Sequence, residues 1–187
     1  MPRTVVVDAC CMLNLLATGR ELDVLRACDV GLIISGQAHG EALFLHTPPD
    51  ADGLRSKQPA LTERLRAARR LEIRSLDTEP LIAAFVACAA QLRDEDASCV
   101  ALAGVLGLPL LTDDGKERRI ARTQFPGIEL ISTLSVLDEA VRALALPEHE
   151  LFGLVADLRW RGNFAPPRKD PLSPWYADLL RRAGVPW

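Results

Sequence analysis

The sequence has few of the side chains that build most zinc sites and nucleophilic catalytic sites. Its three histidines are scattered, and its five cysteines show neither a CxxC pair nor a Cys/His spacing. An odd number of cysteines without such spacing argues against a zinc site and against a disulfide framework. We therefore expect small, mostly buried thiols in a reducing compartment. These residues are Cys10, Cys11, Cys28, Cys88 and Cys99.

Long apolar runs and a strong charge of one sign are also missing. No stretch approaches the roughly 18 uncharged residues that a membrane helix requires. The first apolar stretch contains Asp8 and lacks a small-residue cleavage pattern, so we expect a cytoplasmic protein with no membrane partner. A formal net charge of −3 and a hydrophobic content of 49% favour neither a disordered chain nor a strongly basic nucleic-acid module. Any charged partner must therefore be recognised by local clusters.

Short β-branched or apolar runs alternate with helical segments along most of the chain. The five candidate strands are Thr4–Val7, Gly31–Ser35, Leu71–Leu76, Leu108–Thr112 and Ile128–Ile131. This alternation predicts an α/β fold, in which a doubly wound, mostly parallel sheet of about five strands has helices on both faces.

The segments between and after these strands predict the helices. Those between the strands are Cys11–Cys28, Gln37–Leu45, Leu61–Arg70, Glu79–Arg93, Glu95–Leu106 and Lys116–Thr123. Those after Ser132 are Leu134–Leu146, Glu148–Arg161 and Ser173–Ala183, the last with Ser173 as N-cap and a proline in its first turn. The segment His46–Pro59, rich in Pro, Asp and Gly, predicts an exposed loop. We therefore predict one domain over residues 1–133 and a C-terminal helical extension over residues 134–187 packed on it.

Acidic residues end two of the predicted strands. Asp8 follows the first strand, and Asp113 with Asp114 follows the strand Leu108–Thr112. In an open parallel sheet, ligands bind outside the carboxyl ends of the strands. Asp8 is also a suitable helix N-cap, and the DDG segment a suitable turn and cap. Their occurrence at one edge of one sheet favours the functional interpretation.

Two further acids share a helix face with apolar residues. Glu41 lies three or four residues from Ala38, Phe44 and Leu45, so we expect its carboxylate to project from an inward-packing face. A glutamate at the margin of an apolar stripe would fit the same pattern. Asp96 stands in the same relation to Cys99 and Val100. The acids Asp94 and Glu95 beside it suit an N-cap and a first-turn position.

These carboxylates would repel one another strongly if they met at low dielectric without a cation. Oxygen ligands without His or Cys suit Mg²⁺ or Mn²⁺. Such an ion activates water and stabilises charge on phosphate, which is the chemistry of phosphodiester hydrolysis. The candidate metal ligands are Asp8, Asp96, Asp113 and Asp114.

Three successive motifs, TVVVDACCMLNLL, SGQAHGEALFL and DEDASCVALAGVLGLPLLTDD, resemble those of the PIN-domain family, which includes the VapC-type toxins. The resemblance spans roughly residues 4 to 132. It implies a doubly wound α/β sheet, a metal-dependent endoribonuclease activity and a catalytic acidic centre. That centre would comprise Asp8, Glu41, Asp96 and Asp114. The family's usual T-x-D pattern favours Asp114 over Asp113.

The chain departs from the family pattern just after the first acid. Family members commonly have Ser, Thr or Asn there, whereas Ala9, Cys10 and Cys11 follow Asp8 here, and Asn14 is the next polar candidate. A catalytically inactive PIN-like module that binds RNA or protein is therefore an alternative. A toxin would have an antitoxin partner that covers the acidic cleft, and a homodimer is compatible with either reading. An aspartyl phosphatase would carry a second Asp where Cys10 stands, which argues against that class.

Basic residues next to the acids are candidates for binding RNA phosphates. They are Lys116, Arg118, Arg119 and Arg122, for which a solvated helix face is the alternative reading. Another basic patch, which contains Arg159, Arg161, Arg168 and Lys169, surrounds Trp160 and Phe164. Its aromatic rings suit either stacking on single-stranded bases or packing of the C-terminal helices.

Overall fold

The computed structural model describes residues 2–42 and 44–186. In chain order the elements are β1 (Arg3–Val7), α1 (Ala9–Ala17), α2 (Glu21–Ala27), β2 (Val30–Ser35), α3 (Gly36–Glu41), β3 (Phe44–His46), β4 (Lys57–Pro59), α4 (Glu63–Ala67), β5 (Leu71–Arg74), α5 (Glu79–Ala89), α6 (Asp94–Leu106), β6 (Leu110–Leu111), α7 (Gly115–Gln124), β7 (Leu130–Ile131), α8 (Thr133–Leu144), α9 (Glu148–Arg161) and α10 (Ser173–Arg182).

The main sheet has five parallel strands in the order β5-β2-β1-β6-β7. Strand β1 is central, and its residues Val5, Val6 and Val7 are buried, as expected for a strand covered on both faces. All five predicted strands are present, so the predicted α/β fold class is confirmed. Because the strands are parallel, their carboxyl ends lie at one edge of the sheet, and residues that follow β1 and β6 meet there.

The helices form two packed groups around this sheet. On one side α1 and α2 pack against each other and against α8. A second group is centred on α6, which contacts α3, α5 and α7 and also packs on β1, β2 and β6. The apolar character of α6 on all sides follows from this central position, because the helix is covered by helices as well as by the sheet.

The predicted helix Cys11–Cys28 is wrong as a single element. It is divided into α1 and α2 at Thr18–Arg20, where Gly19 adopts a positive φ of 64°. The Thr18 hydroxyl donates a hydrogen bond to the carbonyl of Leu15 at 2.6 Å, which helps to end α1. The glycine then turns the chain back towards the sheet, since a left-handed conformation is readily adopted only by residues without a Cβ.

The segment Gln37–Leu45 and the loop His46–Pro59 also differ from expectation. Helix α3 ends at Glu41, and Phe44–His46 forms β3 instead of continuing the helix. Residues Lys57–Pro59 pair with β3 in an antiparallel two-stranded sheet. The predicted loop is therefore partly a hairpin, whose three-residue strands are too short to produce a sequence period.

The C-terminal helices join the hydrophobic core of the sheet rather than forming a separate one. Tyr176 is fully buried, and its ring packs edge to face on Phe164 with centroids 5.4 Å apart. The guanidinium groups of Arg55 and Arg159 lie 5.9 and 5.7 Å from the centroid of the Trp160 ring. These contacts favour a packing role for the aromatic residues, whereas the division of the chain at residue 133 stays a prediction.

The cysteines are free thiols, as expected, and four of the five are buried. Cys10 is the exposed one, so the expectation of burial does not hold for it. In residues 2–42 and 44–186, no helix combines the length and apolar character needed to span a lipid bilayer.

Candidate functional site

Three of the predicted acids meet at the carboxyl edge of the sheet. Asp8 follows β1, and Asp114 follows β6, which pairs directly with β1. Asp96 reaches the same place from the first turn of α6. Burial and, to a smaller extent, the charge of Asp114 raise the pKa of Asp96, whereas Arg93 lowers it. The topology therefore brings residues far apart in sequence into electrostatic contact.

A fourth acid, Glu117, interacts with these three and was not identified from the sequence. Asp8, Asp96, Asp114 and Glu117 are called the acidic group below. Its side chain is fully buried. Oε2 accepts a hydrogen bond from the Thr112 hydroxyl at 2.6 Å, and Oε1 has no hydrogen-bond partner among the described residues. Burial, then the charges of Asp8, Asp96 and Asp114, raise the pKa of Glu117 well above its usual value. The three predicted acids therefore all interact electrostatically with one buried glutamate.

A recognisable pattern precedes Glu117 in the sequence. Asp114 is the N-cap of α7 and accepts hydrogen bonds from the backbone N–H groups of Lys116 and Glu117 at 2.7 and 2.8 Å. An acidic N-cap with Glu three residues later is the signature of a capping box. That signature would have singled out Glu117 as a residue facing the cap, although its side chain bonds to Thr112 instead of the N-cap backbone.

Asp8 combines a structural role with membership of the acidic group. Its side chain accepts a hydrogen bond from the N–H of Cys11 at 2.5 Å and so caps α1. Burial raises its pKa to about 6, although the Cys11 N–H and the Thr112 side chain both stabilise the charged form. The N-cap alternative and the acidic-centre alternative are therefore compatible at this position.

Asp113 is directed at α8 and α1 instead of at Glu117. One carboxylate oxygen accepts the N–H of Thr133 at 3.0 Å, and the other accepts the thiol of Cys11 at 3.3 Å. The Thr133 hydroxyl contacts the Cys11 sulfur at 3.4 Å and accepts from the amide of Asn14, also at 3.4 Å. Cys11 therefore contacts Asp113 directly, whereas Asn14 contacts Thr133, whose N–H bonds to Asp113. With both oxygens bonded, Asp113 is suited to positioning the turn.

Glu41 lies at the outer side of the group. Its side chain is 39% exposed, so it does not project among the core side chains as expected. The Arg93 guanidinium lies 3.6 Å from Glu41 and 3.5 Å from Asp96 and links the two carboxylates. Burial and the neighbouring Glu95 carboxyl raise the pKa of Glu41. Glu95 has a buried oxygen, Oε2, without a hydrogen-bond partner among the described residues.

The four predicted RNA-binding residues follow the acids on α7. Lys116, Arg119 and Arg122 are exposed. The guanidinium of Arg118 is half-buried and donates to the carbonyls of three residues at the ends of β6 and β7. These residues are Thr112, Leu130 and Ile131, at 2.7, 3.4 and 3.0 Å. Arg118 therefore links the ends of β6 and β7 through hydrogen bonds, and the other three cations face solvent.

The carboxylate oxygens of the acidic group are of the type that binds Mg²⁺ or Mn²⁺, although they are not arranged as a metal site. Within the described part of the chain, no three His, Cys, Asp or Glu side chains are close enough together to hold a metal ion. Asp8 and Asp114 instead accept hydrogen bonds from backbone N–H groups. The unpartnered oxygens of Glu117 and Glu95 and the raised pKa of Asp8 are features that a bound cation would relieve. The chemistry of the residues therefore fits Mg²⁺ or Mn²⁺.

A protein-family model described as a PIN domain, DUF3368, matches residues 4–167. The chain belongs to the PIN domain family. PIN domains are generally nucleases and generally use divalent metal ions, and membership suggests RNA as the substrate class. The family predicted from the motifs is thereby confirmed.

One solved structure similar to this chain is the crystal structure of PAE2754 from Pyrobaculum aerophilum. The two chains are 19% identical, and the match covers 78% of this chain and 100% of that one, with a TM-score of 0.42. A search of curated proteins gave no significant match.

Proposed function

We propose that this PIN domain is an endoribonuclease that depends on Mg²⁺ or Mn²⁺ and hydrolyses RNA phosphodiester bonds at the acidic group. The observation that carries the proposal is the buried Glu117, which has an unpartnered oxygen and interacts electrostatically with Asp8, Asp96 and Asp114. A fold gains no stability from four carboxyl groups gathered in this way. A cation-binding role explains the arrangement.

The contacts of each residue suggest its role in the proposed reaction. Asp8, Asp96 and Asp114 would hold the metal ion, with Glu117 as an additional ligand. Asp113 positions the turn through Cys11 and Thr133. When bound, the ion lowers the pKa of a coordinated water and stabilises negative charge on the scissile phosphate.

The chain's own groups supply the rest of the proposed mechanism. Glu41 and Asp96 share the Arg93 guanidinium, whose side chain is 65% exposed. This cation lies at the solvent side of the acids, where it can contact a phosphate oxygen of the substrate. Lys116 and Arg119 on α7 are exposed beside Asp114 and attract the polyanion.

Cleavage of a mixed-sequence RNA with Mg²⁺, with Mn²⁺ and with EDTA tests the proposal. We expect cutting with either ion, none with EDTA, and a loss of at least about 100-fold in Asp8→Asn and Asp114→Asn. Asp52→Asn is the matched control, because Asp52 is exposed in the loop between β3 and β4. Full activity in EDTA, or unchanged activity in Asp8→Asn, would contradict the proposal. RNA binding without cutting would favour the inactive binding module.

The toxin role is a narrower form of the same proposal. It requires an antitoxin encoded next to this chain that covers the acidic cleft, as a basic side chain between Asp96 and Glu41 would do. Co-expression with the small neighbouring open reading frame should yield a stable complex in which RNA cutting is inhibited. A neighbouring protein that neither binds nor inhibits would contradict the toxin role and leave the nuclease proposal intact.

A further inference from the structure

A groove of about 700 Å³ adjoins the acidic group at the carboxyl edge of the sheet. Asp113 and Gly115, the two neighbours of Asp114 in sequence, line one end of it. One wall is formed by α7 with Arg118 and Arg122, and the other by the segment 167–171 that precedes α10. The C-terminal part of the chain therefore completes a groove that lies next to the turn carrying Asp114.

The wall made by residues 167–171 is held by its own hydrogen bonds. The backbone N–H of Asp170 and the hydroxyl of Ser173 both donate to the carbonyl of Pro167, at 2.9 and 2.8 Å. The side chain of Asp170 accepts the N–H of Leu172 at 2.8 Å. Two prolines at 166 and 167 restrict the backbone further. The turn therefore presents Arg168 and Lys169 in a defined conformation.

The groove carries an excess of unpaired positive charge. Arg122, Arg168 and Lys169 are exposed, and none forms an ion pair with another described residue. The two acids of the lining are already bonded, Asp113 to Thr133 and Cys11, and Asp170 to Leu172. This local excess contrasts with the net charge of −3 for the whole chain, and its two cationic walls suit a polyanion lying between them.

We propose that this groove binds the single-stranded RNA that leads away from the cleavage site. Arg122 on one wall, and Arg168 with Lys169 on the other, contact successive phosphates of one strand. The proposal rests on the proposed nuclease function and assigns the C-terminal segment to substrate binding. Asp113 and Gly115, the sequence neighbours of Asp114, line the groove. This position beside a proposed catalytic acid favours a phosphodiester strand over an acidic protein segment, which carries similar charge but no bond for the acids to hydrolyse.

Fluorescence anisotropy of the full chain with a labelled RNA of roughly 12 nucleotides tests the groove without turnover, if EDTA is present. We expect Arg168→Ala/Lys169→Ala to weaken binding about tenfold and to reduce the salt slope of log Kd by about 1.4, or about 0.7 per lost phosphate contact. Arg26→Ala/Arg66→Ala is the matched control. These two exposed arginines precede β2 and β5 and so lie at the opposite edge of the sheet. An equal loss in this control would attribute the effect to net charge and overturn the proposal.

Arg122 lies on α7, so a variant there tests the groove without altering the 167–171 turn. Arg122→Glu should weaken RNA binding at least as much, and in the presence of Mn²⁺ it should raise KM more than it lowers kcat. Unchanged affinity in both variants, with Asp8→Asn still abolishing cleavage, would refute the groove and leave the nuclease function standing. A chain that neither binds nor cuts RNA would refute both. Binding of a poly-glutamate peptide with loss in Arg168→Ala/Lys169→Ala, and no RNA binding, would assign the groove to a protein partner instead.

Discussion

The Thr112 hydroxyl donates a 2.6 Å hydrogen bond to one oxygen of Glu117, and the other oxygen of this fully buried carboxyl has no partner among the described residues. A half-bonded buried carboxyl is costly in its charged form. Without a cation it therefore holds a proton, and with a cation it can release that proton and become a ligand. Glu117 thus links the metal-free and metal-bound states of the acidic group.

Glu117→Gln tests this link. The amide resembles the protonated acid in size and charge, so we expect the metal-free stability at about pH 7 to change by less than roughly 1 kcal/mol. The rise in Tm on adding Mn²⁺ should be much smaller than in the wild type. Thermal unfolding with EDTA and with Mn²⁺ measures both effects. Glu139→Gln, at an exposed position of α8, is the matched control, and a full Mn²⁺ response in Glu117→Gln would exclude Glu117 as a ligand.

The stability of the metal-free protein should depend on pH through Asp8. Its pKa is about 6 in the folded chain against 3.8 for the ordinary group, so the folded state binds this proton more tightly than the unfolded state. The stabilisation is fully present below about pH 4, and stability falls as the pH rises from about 4 to 6.

Asp8→Asn should remove this loss of stability at higher pH. It should also preserve the N-cap of α1, because Asn accepts the Cys11 N–H as well. We expect the variant to exceed the wild type by about 2–3 kcal/mol at about pH 7 and to match it near pH 4. Urea unfolding in EDTA at the two pH values measures the difference, with Asp52→Asn as control. A destabilised Asp8→Asn at both pH values would contradict the assignment of burial as the dominant cause.

Arg93→Gln should strengthen metal binding. The guanidinium that bridges Glu41 and Asp96 repels a dication held nearby, and removing it should lower the Kd for Mn²⁺ by about two- to five-fold. The free energy of unfolding should change by less than about 0.5 kcal/mol because the Arg93 side chain is 65% exposed. Calorimetric titration with Mn²⁺ tests this, with Arg142→Gln on α8, which removes an ion pair to Asp138, as control. An unchanged Kd would place the ion away from Asp96.

Gly104 allows α6 and α7 to approach closely. A Cβ at this position would lie 2.3 Å from the ring of Phe125, so Gly104→Ala should cost about 1–3 kcal/mol in unfolding free energy. The cost of Gly104→Ala should be smaller in a Phe125→Ala background. At Gly153 in α9, a Cβ would meet no described atom within 4 Å beyond the neighbouring residues and backbone of its own helix, so Gly153→Ala should stabilise by about 0.5–1 kcal/mol. Equal effects of the two substitutions would contradict this account.

Strands β1, β2 and β6 were predictable because each is a short apolar run, and in a parallel sheet such runs mark buried strands. Strand β5 and the segment Ile128–Ile131 also contain charged residues and were identified by their β-branched and apolar positions. The same reasoning placed Asp8 and Asp114 at one edge. Asp96 was harder to place, because α6 is apolar on all sides and its pattern does not single out one face. The hairpin of β3 and β4 depends on pairing between three-residue strands, which leaves no periodic signal in the sequence.

The neighbouring sequence marks Glu117 as a capping-box residue but does not indicate that its side chain is buried near the other acids. It stands among Lys116, Arg118 and Arg119, in a segment that predicts a solvated basic face. Its burial arises from the packing of α7 against α6 and from the bond to Thr112, both of which are tertiary. The role of Cys11 was similarly hidden, because a thiol that bonds to Asp113 and Thr133 resembles any other buried cysteine in the sequence.

Strand β1 is synthesised before β2 and β6, yet it lies between them in the sheet. Its second hydrogen-bonding edge must wait for residues Leu110–Leu111, and until then it is an open strand edge that can pair with another chain. Asp114 and Glu117 follow β6 in the chain and are therefore also synthesised late. A nascent or prematurely terminated chain is thus expected to be prone to aggregation and inert towards nucleic acid, which couples hydrolytic competence to the completion of synthesis.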